Sequence, residues 1–134
     1  PIDGSLIVLA PDKPQVLAEV KNGILALDGN RLIPLESETI RLRKKLMYNG
    51  SAVITLVLSK NGKLLNEPIV SLMGVLEAGE PSDIAAIVKE TLDVFTKNAK
   101  DDEDLKEQIR IAVRQYFNRL IGKKPMTSIH LVRV

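Results

Sequence analysis

The spacing of apolar residues changes along this chain, and each spacing predicts a different kind of element. In roughly the first 35 residues, short apolar runs alternate with turn residues such as Asp28-Gly29-Asn30, which predicts short strands and a hairpin. From Ser51 the run SAVITLVLS is rich in β-branched residues and apolar on both faces, as expected of a central strand. Two later stretches carry apolar residues at helical spacing, and the run at 126–134 predicts a closing strand.

Start and stop signals support two long helices and add a shorter one. The first long helix begins near Pro81, and the second begins at the acidic cluster 101–104 and ends at Gly122. A shorter helix is predicted at 37–47, with Ser37 as a candidate cap and a narrow apolar stripe typical of a linker. The sequence therefore predicts an α+β fold: a three-stranded sheet with two helices on one face (β-β-α-α-β), preceded by a short β-rich lead and a linker helix.

These elements divide the chain into three segments. Residues 1–35 form the β-rich lead, and so few short strands are marginal in water by themselves. We therefore expect the lead to be the end of a larger core outside this sequence, and a start at Pro1 rather than Met fits that expectation. Residues 36–50 form the linker helix, and residues 51–134 form the α+β domain.

The register of the predicted hairpin decides which apolar residues face the helices. A two-residue turn at Asn61-Gly62 would pair Ile54 with Ile69 and Leu58 with Leu65. The face toward the helices would then carry Ile54, Leu56, Leu58, Leu65 and Ile69. The opposite face is either covered by the lead or the linker helix, or it is a self-association patch, since exposed apolar patches commonly mark interaction sites. The candidate residues of this patch are Val53, Val57, Leu64 and Val70.

Residues suited to catalysis or metal binding are sparse. The chain has no Cys and one His, and His130 lies between apolar residues of a predicted strand, which favours a structural or surface role. The acidic cluster 101–104 lacks the alternating ligands and central Gly of a calcium loop, so helix capping explains it better. No Gly-rich phosphate loop or nucleophile elbow occurs. The residues therefore predict no catalytic site and no metal site.

Positive charge is clustered, although the net charge is only +2. Every charged residue between Glu38 and Glu67 is basic, and so is every charged residue after Glu107. Such zones either attract phosphate backbones or are solvated faces with cations near helix C-termini, and an aromatic content of 3% argues against base stacking. The candidate phosphate-backbone contacts are Arg41, Arg43, Lys44, Lys45, Lys60, Lys63, Lys123 and Lys124.

No apolar run approaches the ~20 residues of a membrane span, and no secretory signal opens the sequence. We therefore expect a cytoplasmic protein.

Several stretches together resemble the C-terminal region of bacterial ribonuclease J. They are "DGNRLIPLESETIRLRKKLMYNGSAVITLVLSKNGKLLNEPIVSLMG", the late helix "IRIAVRQYFNRLIGKKP" and the closing strand "MTSIHLVRV". The lead, "DGSLIVLAPDKPQVLAEV", is similar to the segment that leaves that family's catalytic core. The family's enzymes are metallo-β-lactamase/β-CASP ribonucleases that use zinc for 5′-to-3′ exonuclease and endonuclease cleavage in RNA degradation and maturation. Their metal ligands lie upstream of this region, in a His-x-His-x-Asp-His motif that this chain does not contain.

The resemblance implies a non-catalytic accessory region that supports oligomerisation, as a dimer or tetramer. It implies no cofactor in this region, zinc in a catalytic core outside it, and RNA bound weakly or through the parent enzyme, without a membrane. A basic RNA-binding module that acts without a catalytic core is the alternative. An independent small enzyme is a third reading, which the empty search for a catalytic site disfavours.

Overall fold

The computed structural model describes residues 2–9, 13–75, 81–95 and 101–134, and its backbone divides into two compact units, Pro1–Arg41 and Leu42–Val134. The first unit contains two antiparallel ribbons, β1 (Ser5–Val8) with β2 (Gln15–Glu19) and β3 (Leu25–Asp28) with β4 (Arg31–Pro34). Asp28 pairs with Arg31, so Gly29 and Asn30 form the predicted turn of the second ribbon. That these ribbons belong to a larger sheet stays a prediction.

A helix, α1 (Glu38–Asn49), spans the division between the two units. It ends two residues later than predicted, and consequently no basic residue lies in its last turn. The Ser37 carbonyl accepts the Arg41 N–H at 3.1 Å, but Ser37 Oγ has no hydrogen-bond partner among the described residues. The predicted side-chain cap is therefore wrong. No residue of α1 is buried, as its narrow apolar stripe indicates.

The second unit is built on a three-stranded sheet of β5 (Ser51–Leu58), β6 (Ile69–Met73) and β7 (Met126–Arg133). The strand order is β6-β5-β7, so the apolar run at 51–58 is central, as predicted. Strand β6 is antiparallel to β5, whereas β7 is parallel to it. Parallel neighbours need a long connection, and it contains helices α2 (Pro81–Phe95) and α3 (Asp102–Ile121). The predicted α+β fold is confirmed.

The two helices cover the face of the sheet that carries the even-numbered residues of β5. The side chains of Ala52, Ile54, Leu56 and Leu58 are fully buried there, whereas their odd-numbered neighbours are only partly buried. The helices contribute to this core through their apolar stripes, with Ile84, Val88, Leu92, Leu105, Ile109, Val113 and Phe117. At the start of α3, the Asp101 carboxylate accepts the Asp104 N–H at 2.8 Å, which confirms that this acidic cluster caps a helix.

The register between β5 and β6 differs from the prediction. Ser59 and Lys63 close a three-residue loop, with the Ser59 N–H donating to the Lys63 carbonyl at 2.8 Å, so Leu58 pairs with Leu64. The returning chain then takes two extra residues before β6, which brings Val70 opposite Ile54. Leu64 and Val70 consequently pack against the core, and their predicted place on the uncovered face is wrong. Leu65 and Ile69, predicted to face the helices, are 47% and 65% exposed instead.

The face of the sheet opposite the helices, here called the open face, mixes apolar and polar side chains. Its centre is formed by Val53, Thr55 and Val57 of β5, which are partly buried. Beside them, Ile69 and Met73 of β6 are well exposed, and Val132 of β7 is 47% exposed. Besides Thr55, the polar members of the open face are Ser51, Ser71, Ser128 and His130.

Candidate nucleic-acid interface

The predicted phosphate contacts lie in three places. Four of them lie on α1 (Arg41, Arg43, Lys44, Lys45), two in the β5–β6 loop (Lys60, Lys63) and two in the α3–β7 loop (Lys123, Lys124). The two loops flank opposite ends of β5, which has eight residues, so they are separated by roughly 25 Å. These cations therefore do not form one continuous surface.

One group of cations lines a concave site, here called the basic cleft. Lys45, Lys123 and Lys124 line it together with Arg110 and Arg114 of α3, around a volume of about 540 Å³. The rest of its lining consists of Asn49, Asn118, Gly122, Met126 and Thr127. The cleft thus joins the end of α1, one side of α3 and the start of β7. Arg41, Arg43 and Lys44 do not line it.

Asn49 holds the end of α1 against the α3–β7 loop. Its Nδ2 donates to the Lys45 carbonyl at 3.2 Å, and its Oδ1 accepts the Lys124 N–H at 3.4 Å. One step along the chain, the Gly50 carbonyl accepts the Met126 N–H at 3.0 Å. These hydrogen bonds bring Lys45 close to Lys123 and Lys124, which lie far from it in the sequence.

Lys123 reaches α1 through its side chain. Its Nζ lies 4.7 Å from the centre of the Tyr48 ring, which is a cation–π distance. Tyr48 is 68% exposed, so much of the ring remains accessible beside the basic cleft. The structure therefore places an aromatic surface next to clustered cations, and the contact between Tyr48 and Lys123 is one that the sequence does not indicate.

Carboxylates compensate only part of the charge of the basic cleft. Arg110 donates to Glu107 twice, from Nε at 2.7 Å and from Nη2 at 2.5 Å. These hydrogen bonds lower the pKa of Glu107 and raise the pKa of Arg110, and the Arg114 charge lowers the pKa of Glu107 further. Among the described residues, no carboxylate forms an ion pair with Lys45, Arg114, Lys123 or Lys124.

Arg114 lies where the basic cleft meets a second, smaller one. Arg114, Asn118 and Lys124 also line an adjoining cleft of about 220 Å³, together with Ile111 and Gln115. Arg114 Nε is buried and has no hydrogen-bond partner in the described part of the chain. Leaving a buried donor unpaired costs ~1–3 kcal/mol, so such a group needs an explanation, and a ligand-binding role is one.

The predicted contacts omit Arg110 and Arg114, although the sequence contains a signal for them. Arg110, Arg114 and Asn118 recur every four residues, so they lie on one face of α3. The core stripe of Ile109 and Val113 runs beside that row. What the spacing does not indicate is that α1 lies next to this row.

Other candidate sites are less developed. Lys63 lines a separate shallow cleft with Lys89 and Asp93, so a carboxylate is already present there. His130 is exposed on the open face, opposite Thr55. Within the described ranges, no three His, Asp or Glu side chains come together where they could hold a metal ion. None of the described helices is both long and apolar enough to cross a membrane.

Comparisons with known proteins agree with the resemblance noted in the sequence. Ribonuclease J of Sinorhizobium meliloti is 28% identical to this chain over 138 residues, which cover 98% of the chain. The same alignment covers 24% of the relative, so the chain spans about a quarter of that protein's length. A family model described as the Ribonuclease J C-terminal domain matches residues 38–134, which include α1 and the whole α+β unit. The chain therefore belongs to the ribonuclease J C-terminal domain family.

Proposed function

We propose that this chain is the accessory C-terminal region of a ribonuclease J-like enzyme and that it promotes self-association without taking part in catalysis. The zinc-dependent 5′-to-3′ exonuclease and endonuclease chemistry would belong to a catalytic core outside this chain. Family membership supports this assignment, as does a ribonuclease J relative about four times as long as the matched region.

The open face is the observation that carries the proposal. Helices α2 and α3 pack on the opposite face, through contacts with β6 and β7. On the open face, Ile69 is 65% exposed, Met73 61% and Val132 47%. A second copy of the chain could cover these side chains, because a two-fold axis would bring each open face against its own copy.

The dimensions of the open face limit the strength of such a contact. Two strands ~26 Å long and the shorter β6 of ~17 Å, spaced ~4.8 Å apart, present roughly 330 Å² in projection. A stable interface usually buries about 800 Å² on each partner. We therefore expect weak, concentration-dependent dimers from this region alone, with further contacts in the full enzyme supplied by its other domains.

Sedimentation velocity over a concentration series tests the proposal. Wild type should show a weight-average mass that rises with concentration, and Met73→Lys should associate more weakly because it places a charge on the open face. Leu120→Lys is the matched control, since Leu120 is 49% exposed but lies on α3. A wild type that stays monomeric at high concentration would refute self-association, and equal association by Met73→Lys would exclude the open face.

A further inference from the structure

We propose that the basic cleft binds the phosphodiester backbone of single-stranded RNA, as a site separate from the open face. The choice of RNA rests on the proposed function, because that function places this region within a ribonuclease. The cleft itself is defined by geometry and charge, which do not depend on that assignment.

The charges of the basic cleft suit phosphate. Lys45, Arg114, Lys123 and Lys124 have no carboxylate ion-pair partner among the described residues, and Arg110 shares its charge with Glu107. The guanidinium of Arg114 presents a planar set of donors that matches phosphate oxygens, while the lysines act as point charges around it. A concave arrangement directs these donors toward one ligand, whereas cations on a convex surface would remain solvated separately.

The shape of the site suits an extended strand more than a single small anion. The basic cleft continues into the smaller cleft that shares Arg114, Asn118 and Lys124 with it. An RNA backbone that lies along both clefts would contact the cations first and then the side-chain amide of Gln115. The exposed ring of Tyr48, next to Lys123 of the basic cleft, offers a surface on which a base can stack, and stacking requires an unpaired base.

An acidic polypeptide is the competing ligand for any cluster of cations. Carboxylates would satisfy the lysines and Arg114, but they make no use of the neighbouring Tyr48 ring. The observations therefore favour RNA, and binding of an acidic polypeptide becomes an outcome that the experiment distinguishes.

Fluorescence anisotropy with a short labelled oligouridine tests the proposal on the whole chain. The cleft variant Arg114→Gln/Lys124→Gln removes two positive charges that have no ion-pair partner among the described residues. Each lost phosphate contact should reduce the slope of log K against log salt by ~0.7, or ~1.4 for the pair. If affinity at 1 M salt is unchanged, binding at 50 mM salt should weaken roughly 65-fold.

The double variant Lys60→Gln/Lys63→Gln is the matched control. It removes the same charge from exposed lysines at the other end of the sheet, so it should leave affinity and salt slope nearly unchanged. An equal loss of RNA affinity in both double variants would show that only net charge matters and would overturn the proposal. Absence of wild-type binding at about 50 mM salt would overturn it as well.

Two further arms identify the ligand chemistry. A peptide nucleic acid of the same base sequence lacks phosphate and should not bind, and polyglutamate should compete poorly. Equal binding of the neutral analogue, or equal competition by polyglutamate, would refute recognition of an RNA backbone. If Arg114→Gln disturbs folding, as circular dichroism would reveal, Lys45→Gln/Lys124→Gln replaces it, because both lysines are exposed.

The same samples separate this proposal from self-association. The cleft variants should sediment as wild type does, since they leave the open face unchanged. A monomeric wild type that still binds RNA through the cleft would refute the assembly role alone. Concentration-dependent association without RNA binding would refute the cleft proposal alone.

Discussion

Replacing Gly50 with alanine tests how closely the backbone is packed where α1 meets the sheet. Gly50 is buried and has a φ of 73°, and its N–H donates to the Leu46 carbonyl at 2.7 Å. A Cβ on Gly50 would lie 2.5 Å from the carbonyl oxygen of Gly74 and 2.8 Å from that of Met73. Both obstacles are backbone atoms of the β6 edge, so a side-chain rotation cannot relieve the contact.

Gly122 provides a matched reference for the size of the effect. Its φ is 67°, its N–H donates to the Asn118 carbonyl at 3.0 Å, and an added Cβ would meet no atom within 4 Å. Gly122→Ala should therefore lower the free energy of unfolding only by the cost of a left-handed backbone at alanine, ~1–2 kcal/mol. At Gly50 the same cost applies, and forcing the backbone apart adds ~1–3 kcal/mol. The difference between the two variants therefore isolates the steric contact.

Urea denaturation followed by far-ultraviolet circular dichroism measures this difference. With an m-value of about 1.5 kcal/mol per M, Gly50→Ala should unfold at roughly 0.7–2 M less urea than Gly122→Ala. Equal midpoints for the two variants would show that the approach of the backbones near Gly74 is not tight in solution. If both variants lose little stability relative to wild type, the left-handed conformation itself costs little free energy.

Further outcomes follow from single contacts. Phe117→Ala, which removes a fully buried ring, should lower the free energy of unfolding by ~3–5 kcal/mol in urea titrations. Asp101→Ala should cost ~1 kcal/mol in the same assay, because it removes the cap of α3. Hydrogen bonds from Arg133 lower the pKa of Asp102 below 3.8, so the pair stabilises the fold above that pH. This contribution is below ~1 kcal/mol because both side chains are partly exposed. It should fade as pH falls through the lowered pKa of Asp102, and Asp102→Asn should remove this part of the pH dependence of the free energy of unfolding. Purified wild type should not degrade RNA with added zinc, and metal-dependent cleavage lost in His130→Ala would contradict a non-catalytic role.

The core was predictable because it depends on local periodicity. Ile84 and Val88, or Ile109 and Val113, recur at helical spacing, and the even-numbered residues of β5 must share one face whatever the rest of the chain does. The exposed faces were not predictable in the same way. The closure of the Ser59–Lys63 loop and the two extra residues before β6 decide the register, and neither follows from the Asn-Gly signal.

The basic cleft was predictable only in part. Clustering of cations in the sequence indicated Lys45 in one zone and Lys123 and Lys124 in another. That the two zones meet depends on the bonds of Asn49 to α1 and to the α3–β7 loop, which are long-range tertiary contacts. Periodicity reports which side of an element is polar, and it carries no information about which element lies beside it.

The parallel pairing of β5 with β7 affects the order in which the unit forms during synthesis on the ribosome. Strand β5 emerges early, yet its partner along its entire length emerges only after β6, α2 and α3. Until β7 arrives, one side of the most apolar strand presents unpaired backbone groups, which can template pairing with another chain. Strands so far apart in the sequence also pair slowly. A ribosome that stalls before Met126 would therefore leave a nascent chain prone to aggregation.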